Sequence, residues 1–143
     1  MTGAERLVVQ RGDDLGERMR NAMADAFAGG AEDVVLIGSD LPTLPPAHVQ
    51  RAFELLARGH GADGRAQVVL GATTDGGFYL LGAHREMPDI FGGIPWGGRD
   101  VLARVCRSAH AAGVNVSFAP DWWDVDTPED LLRLPDRYGE FLA

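Results

Sequence analysis

The carboxylate of Asp40 stands just after a short apolar run, Val34 to Ile37, from which only Gly38 and Ser39 separate it. A run with no polar face is typical of a strand that is buried on both sides in a parallel sheet, so we predict a central strand here. Ligands of open α/β sheets bind at the carboxyl ends of the strands, which makes Gly38, Ser39 and Asp40 candidates for ligand contact. The alternative is that Asp40 caps the turn before a helix that starts at Pro45-Pro46.

A second group of acids lies in the segment Asp121 to Leu131. Glu129 and Asp130 are explained by helix capping, because they follow a Thr-Pro start and occupy the first turn, where the helix dipole favours negative charge. Asp124 and Asp126 precede that cap and are separated by one residue. The alternation of an extended chain predicts that their side chains point in different directions and that one of them faces a cleft.

Asp75 lies between Thr73-Thr74 and Gly76-Gly77, at the point where one apolar run ends and another begins. A glycine pair beside an acid and two hydroxyls suggests that a ligand approaches the backbone closely, with Thr74, Gly76 and Gly77 among its contacts. The alternative is a tight turn between two strands, which Asp-Gly signals unaided. The sequence leaves both interpretations open.

Asp40 and Asp126 each follow a predicted strand, so in a parallel sheet both would lie at the same carboxyl edge. Two carboxylates with water form the hard oxygen site that Mg²⁺ or Mn²⁺ prefers, and such an ion would neutralise charge on a phosphate leaving group. The four histidines are scattered and Cys106 is the single cysteine, which argues against zinc. The sequence shows neither a Walker-type loop nor a local nucleophile signature.

An alternation of strands and helices must position these acids, and the hydrophobic pattern predicts one. Apolar stripes with helical spacing, predicted to face the core, are Leu15-Met19-Met23-Phe27 and Val49-Ala52-Phe53-Leu56. Strands are predicted at 7–10, 34–37, 67–71, 78–82 and 114–119, and helices at 15–28, from 46, at 99–112 and from 128. The glycine-rich segment Phe91 to Gly98 is predicted to be a mobile lid that carries the aromatic side chain of Trp96.

Composition limits the class of protein. The 143 residues, 45% hydrophobic, suit a single domain spanning 1–143. The net charge of −8 disfavours nucleic acid as a partner. No run approaches the roughly 18 apolar residues of a membrane span, and no signal-peptide core is visible, so we expect a cytoplasmic protein.

Five ordered motifs make the sequence resemble a known family. They are Gln10-Arg-Gly-Asp-Asp-Leu-Gly-Glu-Arg-Met19, Ile37-Gly-Ser-Asp-Leu-Pro42, Asp75-Gly-Gly-Phe-Tyr-Leu-Leu-Gly82, Ile94-Pro-Trp96 and Asp124-Val-Asp-Thr-Pro-Glu-Asp-Leu131. This set resembles the bacterial selenodomain-associated transferases of the GT-A nucleotide-diphospho-sugar transferase superfamily. The last motif is also similar to the ending of molybdenum-cofactor and phospholactate nucleotidyltransferases.

The resemblance implies an α/β, Rossmann-like GT-A domain with three αβα layers and a mostly parallel sheet. It also implies that Asp40 and Asp126 hold the divalent ion. Asp75 with Gly76-Gly77 would orient the sugar or acceptor, and Asp124 would act as an acceptor-side base or support the ion. The implied activity is glycosyl transfer from a nucleotide-activated sugar. Nucleotidyl transfer with pyrophosphate as the leaving group is the alternative.

The sequence departs from the family pattern in two places. Gly97-Gly98 replace a hydroxyl pair that relatives carry after the tryptophan. Relatives also begin with a first strand, a glycine-containing phosphate loop, a helix and a second strand, and we expect these elements to be lacking here. The edge of Val34 to Ile37 would then be exposed, which predicts a homo-oligomer or a complementing N-terminal half. A non-catalytic interaction domain, or one half of a split enzyme, is the further alternative.

Overall fold

The computed structural model describes residues 6–59, 63–85 and 87–132. Helices and strands alternate in the first half of the chain, and the second half adds a hairpin, a long helix, a strand and one helical turn. The helices are α1 Leu15–Ala28, α2 Pro46–Gly59, α3 Val101–Ala111 and α4 Pro128–Leu131, and the strands are β1 Asp33–Ile37, β2 Gln67–Thr73, β3 Phe78–His84 and β4 Asn115–Trp122. Within the described ranges, no helix is long and apolar enough to cross a membrane.

The four strands form one mixed sheet in the order β1-β3-β2-β4. β3 runs antiparallel to both of its neighbours, whereas β2 and β4 are parallel. The prediction of a mostly parallel sheet is therefore wrong. The cause is local, because the short turn after Thr73 folds β3 directly back along β2 and leaves no room for a crossover helix. The central position predicted for Val34 to Ile37 is wrong as well, since β1 lies at an edge of this sheet.

β1, β2 and β4 nevertheless run in the same direction, because β1 and β2 are both antiparallel to the strand between them. Their carboxyl ends consequently meet at one edge of the sheet, as the sequence predicts. The turn that leads into β3 lies at that edge too. This edge carries every candidate acid of the sequence.

Helices cover the sheet on both faces, in three layers. Residues of α1 and α3 share one core with the sheet, and residues of α2 share another. The first core contains Met23, Val34, Val68, Leu70, Leu81, Ala83, Ile90, Phe91, Val101, Val105, Ala109 and Val114. The second contains Ala52, Leu56, Val69, Tyr79, Leu80 and Ala119. The alternation of β2 residues between the two cores explains why the strand is apolar on both sides.

The predicted helices are confirmed, with small corrections to their buried faces. The N-cap of α1 is Asp14, whose Oδ1 accepts a hydrogen bond of 2.8 Å from the amide of Glu17. The helix ends before Gly29, as predicted. Leu15 and Phe53, which were predicted to face the core, are exposed by 48% and 41%.

Leu7 to Gln10 is not a strand, and this prediction is wrong. The segment pairs with no strand in the described chain, and Leu7 is 92% exposed. It leads to an apolar groove of about 360 Å³ between α1 and β1, which we call the β1 groove. Its lining includes Gln10, Leu15, Met19, Ala22, Leu36, Ile37 and Phe78.

The segment predicted to be a lid is irregular, but its aromatic side chains are packed. Phe91 is buried, and its ring centroid lies 5.9 Å from that of Trp96 and 6.5 Å from that of Phe78. α1 approaches this cluster at Gly16, where a Cβ atom would lie 2.8 Å from atoms of both Phe91 and Trp96. Trp96 is thus held against the core.

Candidate active site

Four aspartates lie in the loops that follow β1, β2 and β4. Asp75 comes from the turn after β2, and Asp124 and Asp126 come from the chain after β4. These three residues each offer a carboxylate oxygen, and the three oxygens lie within 4.8 Å of one another. We call Asp75, Asp124 and Asp126 the aspartate triad.

Asp75 is held in place by its own turn. Its Oδ1 accepts hydrogen bonds from the hydroxyl of Thr73 and from the amide of Gly77, the latter over 3.2 Å. The turn closes with a bond of 3.0 Å from the Thr73 amide to the Gly77 carbonyl. The hydroxyl of Thr73 is the main cause that lowers the pKa of Asp75. Both interpretations of this segment therefore apply, because a tight turn between strands also presents a carboxylate to the triad.

Thr73 is a site residue that the sequence analysis did not single out. Its hydroxyl is buried against the carboxylate two residues later, a spacing at which Ser and Thr commonly bond to nearby acids or backbone groups. The Thr-x-Asp-Gly pattern was the available signal. Thr73 fixes the direction of the Asp75 carboxylate.

Asp124 and Asp126 were predicted to point in different directions, but carboxylate oxygens of both lie within 4.8 Å of Asp75 and of each other. The chain leaves β4 at Trp122 and has no regular structure from 123 to 126, and the alternation of a strand does not apply there. The start of α4 fixes the end of this segment. Thr127 and Asp130 form a capping box, in which the Asp130 carboxylate accepts a bond of 3.1 Å from the Thr127 amide. Capping thus accounts for Asp130, as predicted.

The triad concentrates negative charge that no described side chain neutralises. Burial, followed by the charges of Asp126, Asp75 and Asp40, raises the pKa of Asp124 to about 6. Burial and then the charge of Asp40 also raise the pKa of Asp126. A divalent cation would remove this repulsion, and three carboxylate oxygens form the donor set that Mg²⁺ and Mn²⁺ prefer. The residues present therefore fit such an ion.

Asp40 lies beside the triad without being one of its members. Its carbonyl oxygen accepts a hydrogen bond of 3.0 Å from the amide of Val125, which joins the loop after β1 to the loop after β4. Its charge contributes to the raised pKa of both Asp124 and Asp126. Its role as a metal ligand stays a prediction.

The predicted substrate contacts fall into three places. Thr74 and Gly76 line a cleft of about 720 Å³ together with Asp75, Gly97, Gly98 and Arg99, which we call the Arg99 cleft. Gly77 contributes its amide to Asp75. Gly38 and Ser39 line the β1 groove, and Trp96 belongs to the aromatic cluster beside α1. Thr74, Gly76 and Gly77 thus lie with Asp75, whereas the hydroxyl of Ser39 donates a hydrogen bond of 3.4 Å to Oδ1 of Asp40.

The sequence of this chain matches a known protein family. Residues 2–98 match the family DUF2064, described as an uncharacterized protein conserved in bacteria. The chain belongs to this family. No curated protein matches the DUF2064 chain.

The DUF2064 chain is similar to a solved structure, determined at 1.90 Å resolution, of a protein from Desulfovibrio desulfuricans G20 that is provisionally named a nucleotide-diphospho-sugar transferase. The two share 40% sequence identity with a TM-score of 0.78 over 90% of this chain. The match covers 54% of the other protein, so this chain spans about half of its length.

Proposed function

We propose that this chain is the metal-binding part of a glycosyltransferase-like enzyme that acts on a nucleotide-activated sugar. The observation that carries the proposal is the aspartate triad, with three carboxylate oxygens within 4.8 Å at the carboxyl edge of the sheet. The provisional name of the Desulfovibrio protein supports the class of substrate. A Rossmann-like GT-A fold and membership of the selenodomain-associated transferases are part of the same proposal.

In this proposal Asp75, Asp124 and Asp126 hold Mg²⁺ or Mn²⁺, and Asp40 adds negative charge beside them. The bound ion would supply the positive charge that a leaving diphosphate requires. Thr73 and the Gly77 amide keep the Asp75 carboxylate aimed at the triad. The ion would remove the repulsion that helps to raise the pKa of Asp124, so Asp124 is assigned to the ion and not to proton transfer from an acceptor hydroxyl.

Nucleotidyl transfer is the second candidate function. The segment Asp124 to Leu131 supports it, because this motif is similar to the ending of known nucleotidyltransferases. The same ion would then stand beside a leaving pyrophosphate. A non-catalytic or split-enzyme domain is the third candidate, and absence of turnover with intact metal binding would favour it.

The partners in this proposal are a nucleotide sugar in the cytoplasm and a further polypeptide at the open edge of β1. No strand in the described ranges pairs with that edge. In the isolated 143-residue protein, we expect a second copy of this chain to pair with this edge.

Calorimetric titration with MnCl₂ tests the metal site. We expect binding to the unmodified chain and its loss in Asp75→Asn and Asp126→Asn. Asp63→Asn is the matched control, because Asp63 lies just before β2, at the opposite edge of the sheet, and bonds to Asn115 at the start of β4. Equal Mn²⁺ affinity in all four proteins would refute the proposal.

A panel of nucleotide sugars and nucleoside triphosphates, incubated with Mn²⁺ and candidate acceptors, then identifies the reaction. Release of a nucleoside diphosphate indicates glycosyl transfer, and release of pyrophosphate indicates nucleotidyl transfer. Activity that persists in Asp126→Asn would show that the triad is not the catalytic centre.

A further inference from the structure

Arg99 is a cation in the cleft that Asp75 also lines, and the proposed chemistry has not yet used its charge. Arg99 lies in the loop between the aromatic cluster and α3, where it lines the same cleft as Asp75. The side chain is exposed, and among the described residues it has no hydrogen bond or ion pair. The cleft thus carries an unpaired arginine as well as the acid Asp75, in a chain with a net charge of −8.

The backbone of Arg99 is fixed against the turn that carries Asp75. A Cβ atom at Gly76 would lie 1.7 Å from the carbonyl oxygen of Arg99, so the two backbones pack together only because Gly76 has no side chain. The amide of Leu102 donates a bond of 3.0 Å to the Gly76 carbonyl and fastens the same two loops. The Arg99 side chain therefore starts from a fixed point beside the triad.

Two acids near Arg99 are already bonded to other groups, namely its neighbour in the sequence and the acid in the same cleft. Asp100 forms an ion pair of 2.7 Å with Arg104, one turn along α3. Oδ1 of Asp75 is bonded to Thr73 and Gly77. Among the described residues, neither acid therefore pairs with the Arg99 side chain.

We propose that Arg99 binds a phosphate group of the substrate in the Arg99 cleft. A guanidinium keeps its charge at every physiological pH and forms paired hydrogen bonds to phosphate oxygens. Gly97 also lines the cleft and leaves room for such a group, since a Cβ atom there would meet no other atom within 4 Å. This inference rests on the proposed function and adds an anionic group to the description of the substrate.

Two sources can supply that phosphate, namely the diphosphate of the donor or a phosphorylated acceptor. Pyrophosphate imitates the first and glucose 1-phosphate the second. Each is titrated by calorimetry into the protein at saturating MgCl₂. The variants are Arg99→Ala, Arg99→Lys and, as the matched control, Arg107→Ala, which removes an exposed arginine from α3 outside the cleft.

We expect Arg99→Ala to weaken binding of at least one probe by about tenfold or more, the loss typical of a charge-assisted hydrogen bond. Arg99→Lys should recover part of this affinity, and Arg107→Ala should bind like the unmodified protein. A loss confined to pyrophosphate assigns the donor, and a loss confined to glucose 1-phosphate assigns the acceptor. Affinity for Mg²⁺ alone should stay unchanged in all three variants.

The inference is overturned if Arg99→Ala and Arg107→Ala bind both probes equally, or if the unmodified protein binds neither probe. Failure of the proposed function has a different signature, which is absence of metal binding to the unmodified protein. In that case the titrations are repeated in EDTA, where the same comparison of Arg99→Ala with Arg107→Ala decides whether Arg99 binds phosphate.

Discussion

The amide of Val125 donates a hydrogen bond of 3.0 Å to the carbonyl oxygen of Asp40. This contact joins the loops that follow β1 and β4, although β3 and β2 separate those strands in the sheet. It brings the Asp40 carboxylate close enough for its charge to raise the pKa of Asp124 and Asp126. Because the bond uses only backbone atoms, a substitution at Asp40 can change the charge without breaking it.

Asp40→Asn and Asp126→Asn should therefore differ. We expect Asp126→Asn to abolish Mn²⁺ binding, because it removes a member of the triad. Asp40→Asn should weaken binding by only about tenfold, the loss of one neighbouring charge. Calorimetric titration measures both affinities. Equal abolition in the two variants would make Asp40 a direct ligand, as the family resemblance implies.

Asp124→Asn should stabilise the metal-free protein at neutral pH. The pKa of Asp124 is raised from 3.8 to about 6, so the folded state binds this proton more tightly than the unfolded state does. The ionised carboxylate consequently lowers stability above about pH 6, and this loss disappears as the pH falls towards 3.8. In EDTA at pH 7.5 we expect a rise in Tm on the order of 2 °C, discounted for solvent screening, and no rise near pH 4.

Asp63→Asn provides a control of opposite sign for this measurement. Its bond to Asn115 is the main cause that lowers the pKa of Asp63, so the ionised form stabilises the fold. That stability is present above pH 3.8 and is lost as the pH falls through the lowered pKa. A rise in Tm at pH 7.5 in both variants would indicate a general effect of net charge.

Gly76→Ala should destabilise the protein more than Gly97→Ala does. Both glycines have a positive φ, of 92° and 90°, so the backbone penalty is the same. Only at Gly76 would the new Cβ collide with the Arg99 carbonyl, at 1.7 Å. We expect Gly97→Ala to lower the free energy of unfolding by about 1 kcal/mol and Gly76→Ala by about 3 kcal/mol or more. Urea denaturation measures both, and equal losses would contradict the packing described for these loops.

The isolated chain should self-associate through the β1 edge. Ile37 at the end of β1 is 52% exposed, and the neighbouring β1 groove is apolar. The opposite edge of the sheet is protected, because β4 contains Pro120, which cannot donate a hydrogen bond to an added strand. We expect a dimer that buries on the order of 1,000 Å² or more, observable by sedimentation velocity.

Ile37→Lys should convert this dimer to a monomer, since a charge at an edge strand opposes pairing. Phe118→Lys is the matched control, because Phe118 on β4 is also 52% exposed. A monomeric unmodified chain would refute self-association through this edge.

The sequence was enough to predict which acids belong to the site, but not which of them bring their carboxylate groups together. Asp40, Asp75 and Asp126 each follow an apolar run, and this is enough to place them at one edge of a sheet. The distances among them depend on loop conformation. Residues 123–126 leave the strand, which allows Asp124 and Asp126 to meet. Arg99 carries no local signal, since its position depends on the contact between two loops.

For the fold, the main errors of the sequence-based prediction concern the order and direction of the strands. The Asp75-Gly76 signal for a tight turn was present, and following it would have given the antiparallel β3. Leu7 to Gln10 has the composition of a strand, but a strand also needs a partner, and the described sheet offers none beside it. Hydrophobic pattern predicts which segments are extended far better than which segments pair.

The parallel pairing of β2 with β4 links metal affinity to folding. This pair joins the segments 67–73 and 115–122, and the triad lies in the loops that continue from them. The two segments are far apart in the sequence, with β3 and α3 between them along the chain, so they pair only when the intervening elements have folded. Because Asp75 and Asp124 would both hold the ion, the ion would bind only the chain in which this pair is complete. Its free energy of binding then adds to the free energy of unfolding, by about 1.4 kcal/mol for each tenfold rise in free ion above the Kd.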